Sequence, residues 1–133
     1  MVQNITRDND WSDLDLNFGL HPGTNDVSKV KGPQAVGRAI RNLVLMHFYD
    51  KPFNPQIGSN ATKLLFENIN PLTAIHLQNA IEEVIINFEP RASIMGVNVK
   101  QVPDENGYSA EIIYTVKNLM NPIRTTLFLE RIR

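Results

Sequence analysis

The chain contains no cysteine. That absence excludes disulfides, thiolate metal sites and cysteine nucleophiles, and it fits synthesis in a reducing compartment. Neither sign of charge is in excess, since thirteen basic residues meet fourteen acidic ones for a formal charge of −1. Such a balance creates no long-range field toward nucleic acid or an acidic membrane surface, and neither is expected as a partner. Apolar runs are short, Leu43–Met46 being typical, whereas spanning a bilayer takes roughly 20 residues. The opening MVQNITRDND has no apolar segment of the kind that marks a signal peptide. Phosphate-binding glycine loops are missing, because Gly32 and Gly37 stand alone, and Gly58-Ser59-Asn60-Ala61-Thr62 is not a nucleophile elbow. No internal repeat or low-complexity segment occurs.

What is present is an ordinary globular composition, 42% hydrophobic over 133 residues. A single domain spanning 1–133 is the expectation. The first 30 residues are the least regular. Asp13-Leu14-Asp15-Leu16-Asn17-Phe18 alternates polar and apolar, as a short half-exposed strand does. The turn-rich Gly19-Leu20-His21-Pro22-Gly23-Thr24-Asn25-Asp26 follows, so residues 1–30 read as an extended arm and loop.

Residues 31–90 read as mainly helical. Pro33 stands where a helix can begin, and Val36, Ile40, Leu43 and His47 recur at helical spacing. Pro52 and Pro55 stop that pattern. Asn60 is placed to cap a short helix carrying Leu64, Leu65 and Phe66. Asn70-Pro71 joins a capping residue to a proline at the first helical position. Leu77, Ala80, Ile81, Val84, Ile85 and Phe88 then repeat at three and four, with Gln78, Asn79, Glu82, Glu83 and Asn87 opposite. Pro90 disfavours helix at Glu89, which ends the element near Phe88.

Residues 91–133 read as antiparallel strands. Val97 and Val99 alternate with polar neighbours, Asn106-Gly107 marks a hairpin turn, and Tyr108, Ala110, Ile112, Tyr114 and Val116 alternate with Ser109, Glu111, Ile113, Thr115 and Lys117. Ile123, Thr125, Leu127 and Leu129 form a third alternating run, expected to extend to Arg133 as a sheet edge. The fold class that follows is α+β, with amphipathic helices packed on a small C-terminal antiparallel sheet. An uncovered edge strand is a liability for a monomer and a docking site for an assembly protein.

Catalytic constellations are thin. His21, His47 and His76 fall on a loop and two different helices, without the spacing of a zinc helix, and read as surface or core-edge residues. No metal or cofactor is expected. Glu82 and Glu83 read as solvated charges on a helix face. Arg124, Arg131 and Arg133 are too few and too mixed with Glu130 for a nucleic-acid face. Glu89-Pro90-Arg91 is different in kind. Proline fixes the backbone at the helix exit. Arginine then offers a rigid fork, suited equally to a carboxylate on another surface and to the negative end of the preceding helix. An ion pair between Glu89 and Arg91, exposed to water, would contribute only about 0–1 kcal/mol.

Lys51-Pro52-Phe53-Asn54-Pro55-Gln56-Ile57-Gly58, Leu65-Phe66-Glu67-Asn68, Pro71-Leu72-Thr73-Ala74 and Asn87-Phe88-Glu89-Pro90-Arg91 occur in this order. Together they resemble the lysozyme-like baseplate wedge family of contractile-tailed phages, the family of the tail sheath initiator. The TssE component of type VI secretion baseplates is similar. The resemblance runs from about Val27 to the C-terminus. It implies a non-enzymatic virion protein, made in the host cytoplasm and located in the tail baseplate. It implies wedge proteins, the sheath subunit and the tail tube as partners, with six copies around the tail axis. Carried onto this chain, Glu89, Pro90 and Arg91 would contact the wedge. The strand holding Ile123, Thr125, Leu127 and Leu129 would face the sheath. The family's older name carries a claim of lysozyme activity, and a peptidoglycan hydrolase is the alternative, with Glu67 and Glu89 as its carboxylates. A cleft uniting two carboxyls, one of them buried, would favour that alternative. A solvent-facing Glu-Pro-Arg and a free sheet edge would favour assembly. On this reading Arg91→Ala leaves folding nearly intact.

Overall fold

Asn70 and Pro71 start the longest helix as their residue types require. In the computed structural model, which describes residues 12–117 and 119–132, the Asn70 side chain accepts a hydrogen bond from Thr73 N at 2.7 Å. That bond satisfies one of the amides that a helix start leaves without a partner. Cα packing divides the chain into two units, residues 1–35 and 36–133.

In the first unit, strands β1 (Ser12–Leu14) and β2 (Lys29–Lys31) pair antiparallel. The expected strand over residues 13–18 is therefore shorter than its alternation implied. After Leu14 the chain turns: Asp15 Oδ1 accepts from Asn17 N, Asp15 O accepts from Phe18 N, and Phe18 takes φ +51°. Local side-chain bonding of an Asp outcompetes strand continuation here. The expected arm before residue 12 lies outside the described residues.

Helix α1 (Pro33–Leu45) begins at the proline and continues into the second unit. Val36, Ile40, Leu43 and Val44 are buried. His47, expected on the same stripe, lies beyond the helix end, where Asp50 Oδ2 accepts from its backbone amide at 2.9 Å. The next residues form a closed loop: Ser59 N donates to Met46 O at 2.9 Å. Gly58 makes this closure possible, since a Cβ there would meet Phe48 N at 2.5 Å and the His47 carbonyl carbon at 2.7 Å.

Helix α2 (Ala61–Leu64) is a single turn. Asn60 does not cap it as expected, because its backbone is already helical and its side chain makes no cap bond. Ser59 acts instead, its Oγ accepting from Ala61 N at 3.0 Å. Helix α3 (Pro71–Phe88) buries Leu77, Ile81, Val84 and Ile85. Each such burial contributes about 1.5–3 kcal/mol relative to exposure.

Strands β3 (Ala92–Val102), β4 (Gly107–Val116) and β5 (Ile123–Glu130) form an antiparallel sheet in the order β3-β4-β5. β3 is longer than the alternation around Val97 implied. Its register slips at Met95, from Ile94↔Tyr114 to Gly96↔Ile113. That bulge carries the inward positions from Ala92 and Ile94 to Val97 and Val99, so no single alternation runs through the strand. The link to β4 is a 3₁₀ turn over Pro103–Glu105 with Asn106 left-handed at φ +52°. Only Asn106 of the Asn-Gly pair takes the turn conformation. Gly107 instead begins β4, where a Cβ would meet Leu129 O at 2.6 Å.

Every second residue of β4, from Tyr108 to Val116, is buried. These side chains join the helix residues in one core with Leu127 and Leu129. β5 ends at Glu130 rather than running to Arg133. Arg131 N donates to Asn106 O, and Ile132 N donates to Leu65 O, each at 2.9 Å. The chain end is thus tied to the segment after α2. Arg133 itself lies outside the described residues.

Candidate interaction site

Phe88 is the last residue of α3, and Glu89 caps it with an N–H donated to Ile85 O at 2.9 Å. The next two residues turn the chain into β3, whose first rung is set by Lys117 N donating to Arg91 O at 3.0 Å. Between these fixed points the Glu89 carboxylate accepts Arg91 Nε on Oε1 at 2.6 Å and Arg91 Nη2 on Oε2 at 2.8 Å. The Arg91 backbone N adds a third bond to Oε1 at 3.3 Å.

The pair is not the water-exposed one expected from the sequence. The Glu89 side chain is 4% exposed and that of Arg91 is 17% exposed, while Pro90 is exposed. The arginine fork thus turns onto its own helix exit. Two parallel charge-assisted bonds fix the turn, and removing one partner would strand a buried charge. This burial removes the premise, a solvent-facing exit residue, on which Arg91→Ala was expected to leave folding nearly intact. Burial of Glu89 was hidden in the sequence because its position depends on where the β3–β4 register places Arg91.

Glu67, the other proposed carboxylate, is exposed, and its Oε2 accepts from Thr73 Oγ1 at 3.3 Å. Thr73 lies in the first turn of α3, and Glu89 lies just past its last. An 18-residue helix is about 27 Å long, whereas glycosidase carboxyls stand about 5–9.5 Å apart. Glu67 and Glu89 are therefore not brought together. Glu82 is half-buried and Glu83 exposed on α3. Among the described residues no group of three or more His, Asp or Glu could hold a metal ion, and no helix is long and apolar enough to cross a membrane.

At the far side of the sheet from β3, β5 pairs with β4 on one side only. Ile123 and Thr125 are half-buried, and Leu127 and Leu129 are core residues at 4% and 2% exposure. Their side chains face the helices, so the strand offers its neighbours backbone rather than these four side chains. Strand amides point alternately to either side. The rung from Arg131 N to Asn106 O follows Glu130↔Gly107. It fixes the phase: the amides of Ile123, Thr125, Leu127 and Leu129 point to β4. Those of Arg124, Thr126, Phe128 and Glu130 point outward, where no described strand lies. The sequence pattern carried this signal, because one alternation sets both side-chain face and amide direction.

The site thus consists of a helix-backed sheet with one open edge and a charge-locked turn where its long helix ends. The family described as baseplate wedge protein gp25 matches residues 30–119. Baseplate wedge protein gp25 of Enterobacteria phage T4 is 31% identical over 106 residues, 80% of each chain. The chain belongs to this baseplate wedge protein family. Among solved structures, a component of the anti-feeding prophage baseplate is 25% identical with a TM-score of 0.72, covering 84% of this chain and 90% of that one. A protein called a putative tail lysozyme from Geobacter sulfurreducens shares the fold, with a TM-score of 0.69 at 19% identity over 75% of this chain and 91% of the other. The family, the phage T4 relative and the anti-feeding prophage component are named as baseplate proteins, which supports a non-enzymatic role.

Proposed function

We propose that this chain joins the core bundle of the baseplate wedge to the first ring of the tail sheath and templates sheath growth by strand pairing. The whole chain, 1–133, would act as a single wedge domain, in six copies around the tail tube. The observation that carries the reading is the open edge of β5, whose alternate amides and carbonyls await a strand. Charged Arg124 and Glu130 along that edge discourage unselective pairing. At the C-terminal end of α3, the buried Glu89–Arg91 pair holds Pro90 outward in a fixed turn. In this reading Glu89, Pro90 and Arg91 meet the wedge through the shape of that turn as well as through charge.

The test is sheath nucleation from purified baseplates. Thr126→Pro deletes an outward amide and leaves the ladder to β4 whole, as proline is tolerated on edge strands. Sheath assembly should then fail although the variant chain folds and enters baseplates. Normal sheath growth on Thr126→Pro baseplates would remove the strand from the template role. Thr125→Pro is a fold-breaking control, because its amide faces β4.

A further inference from the structure

The second half of α3 and the loop before α2 enclose a groove of about 290 Å³. Phe48 and Val84 give it an apolar floor, and Gln56, Asn60, Glu83 and Asn87 stand along its walls. All four wall residues are exposed. None of their side chains makes a hydrogen bond or ion pair to a described residue. Asn60 is unengaged because Ser59 already serves the start of α2 through its bond to Ala61 N. Glu83 and Asn87 are four residues apart on α3 and so share one face. Glu83 is the one charged residue among those lining the groove. The loop wall is held in place where Gly58 packs on the His47–Phe48 backbone.

We propose that this groove is the socket for an arginine side chain presented by a wedge protein of the same baseplate; it rests on the wedge-joining reading above. At about 290 Å³ the groove lies at the low end of small-molecule sites, roughly 300–1,000 Å³, and has room for one long side chain. One carboxylate and three amide oxygens supply acceptors for the five donors of a guanidinium. The apolar floor takes the aliphatic stem, as arginine stems lie along apolar surface while the head stays with polar groups. An acidic side chain would meet Glu83 and be repelled.

Two measurements on the full chain test the socket. In the first, N-acetyl-arginine amide is titrated into isotope-labelled protein, with the neutral N-acetyl-citrulline amide as control. The socket predicts amide shifts at Asn60, Glu83 and Asn87 with arginine, weakened by up to about fivefold by Glu83→Gln, since an exposed ion pair contributes about 0–1 kcal/mol. Equal responses to arginine and citrulline would overturn it. In the second, Glu83→Arg protein is mixed with the purified wedge proteins and, separately, with sheath subunit. Loss of wedge capture with unchanged melting temperature and unchanged sheath binding is the expected result. Wedge capture by Glu83→Arg at wild-type level overturns the socket alone. Failure of the wild-type chain to capture any wedge protein overturns the wedge-joining reading, and the socket with it.

Discussion

Replacing Arg91 by Met tests how the Glu-Pro-Arg turn is held. The substitution keeps an unbranched apolar stem and removes the two side-chain bonds to Glu89, at 2.6 and 2.8 Å. The Glu89 carboxylate, with its side chain 4% exposed, then keeps the weaker bond from the backbone amide of residue 91, at 3.3 Å. Breaking a buried pair from one side costs about 3–5 kcal/mol. A whole domain is stable by about 5–15 kcal/mol. At this chain length 1 kcal/mol corresponds to about 4 °C, so Tm should fall by about 12–20 °C. The double variant Glu89→Leu/Arg91→Met removes both charges and should recover to within about 1 kcal/mol of wild type, because well-packed apolar residues replace buried pairs at little cost. Urea unfolding followed by circular dichroism reads both values. A loss below about 1 kcal/mol for Arg91→Met would place the pair with ordinary surface salt bridges and refute the reasoning. The stable double variant also separates two ways of meeting the wedge. Retained binding would assign the contact to the shape of the turn, and lost binding would assign it to the charges.

Gly58→Ala should cost about 1–3 kcal/mol in urea unfolding, because the new Cβ meets backbone rather than a movable side chain. Asn70→Ala should cost about 1 kcal/mol by losing the bond from Thr73 N. Asn60→Ala should be nearly silent in the same assay, since Ser59 rather than Asn60 serves the start of α2.

Much of this architecture was written in local patterns. Helix α3 announced itself through Asn70-Pro71 at one end, Pro90 at the other and apolar residues at three and four between them. β4 and β5 were legible because apolar residues recur at every second position through most of each, with Ile113 and Phe128 the exceptions. β3 was only half legible, since the bulge at Met95 shifts the inward positions midway. Asn60 misled for a different reason: two adjacent residues can serve one helix start, and backbone geometry chose Ser59. Leu72, Ile75 and Ile86 on α3 are exposed although apolar, which no periodicity rule distinguishes from burial. For the interaction site, the open edge and the motif positions were readable, and the inward turn of Arg91 was not. Burial of Glu89 depends on the β3–β4 register, a long-range property that a contiguous tripeptide does not encode.

Electron cryomicroscopy of an assembled baseplate carrying its first sheath ring tests the central claim most directly. The account predicts a sheath strand hydrogen-bonded along Arg124–Glu130 of each copy, on the side away from β4. An outer edge of β5 left open to solvent, or covered by a protein other than sheath, would contradict it.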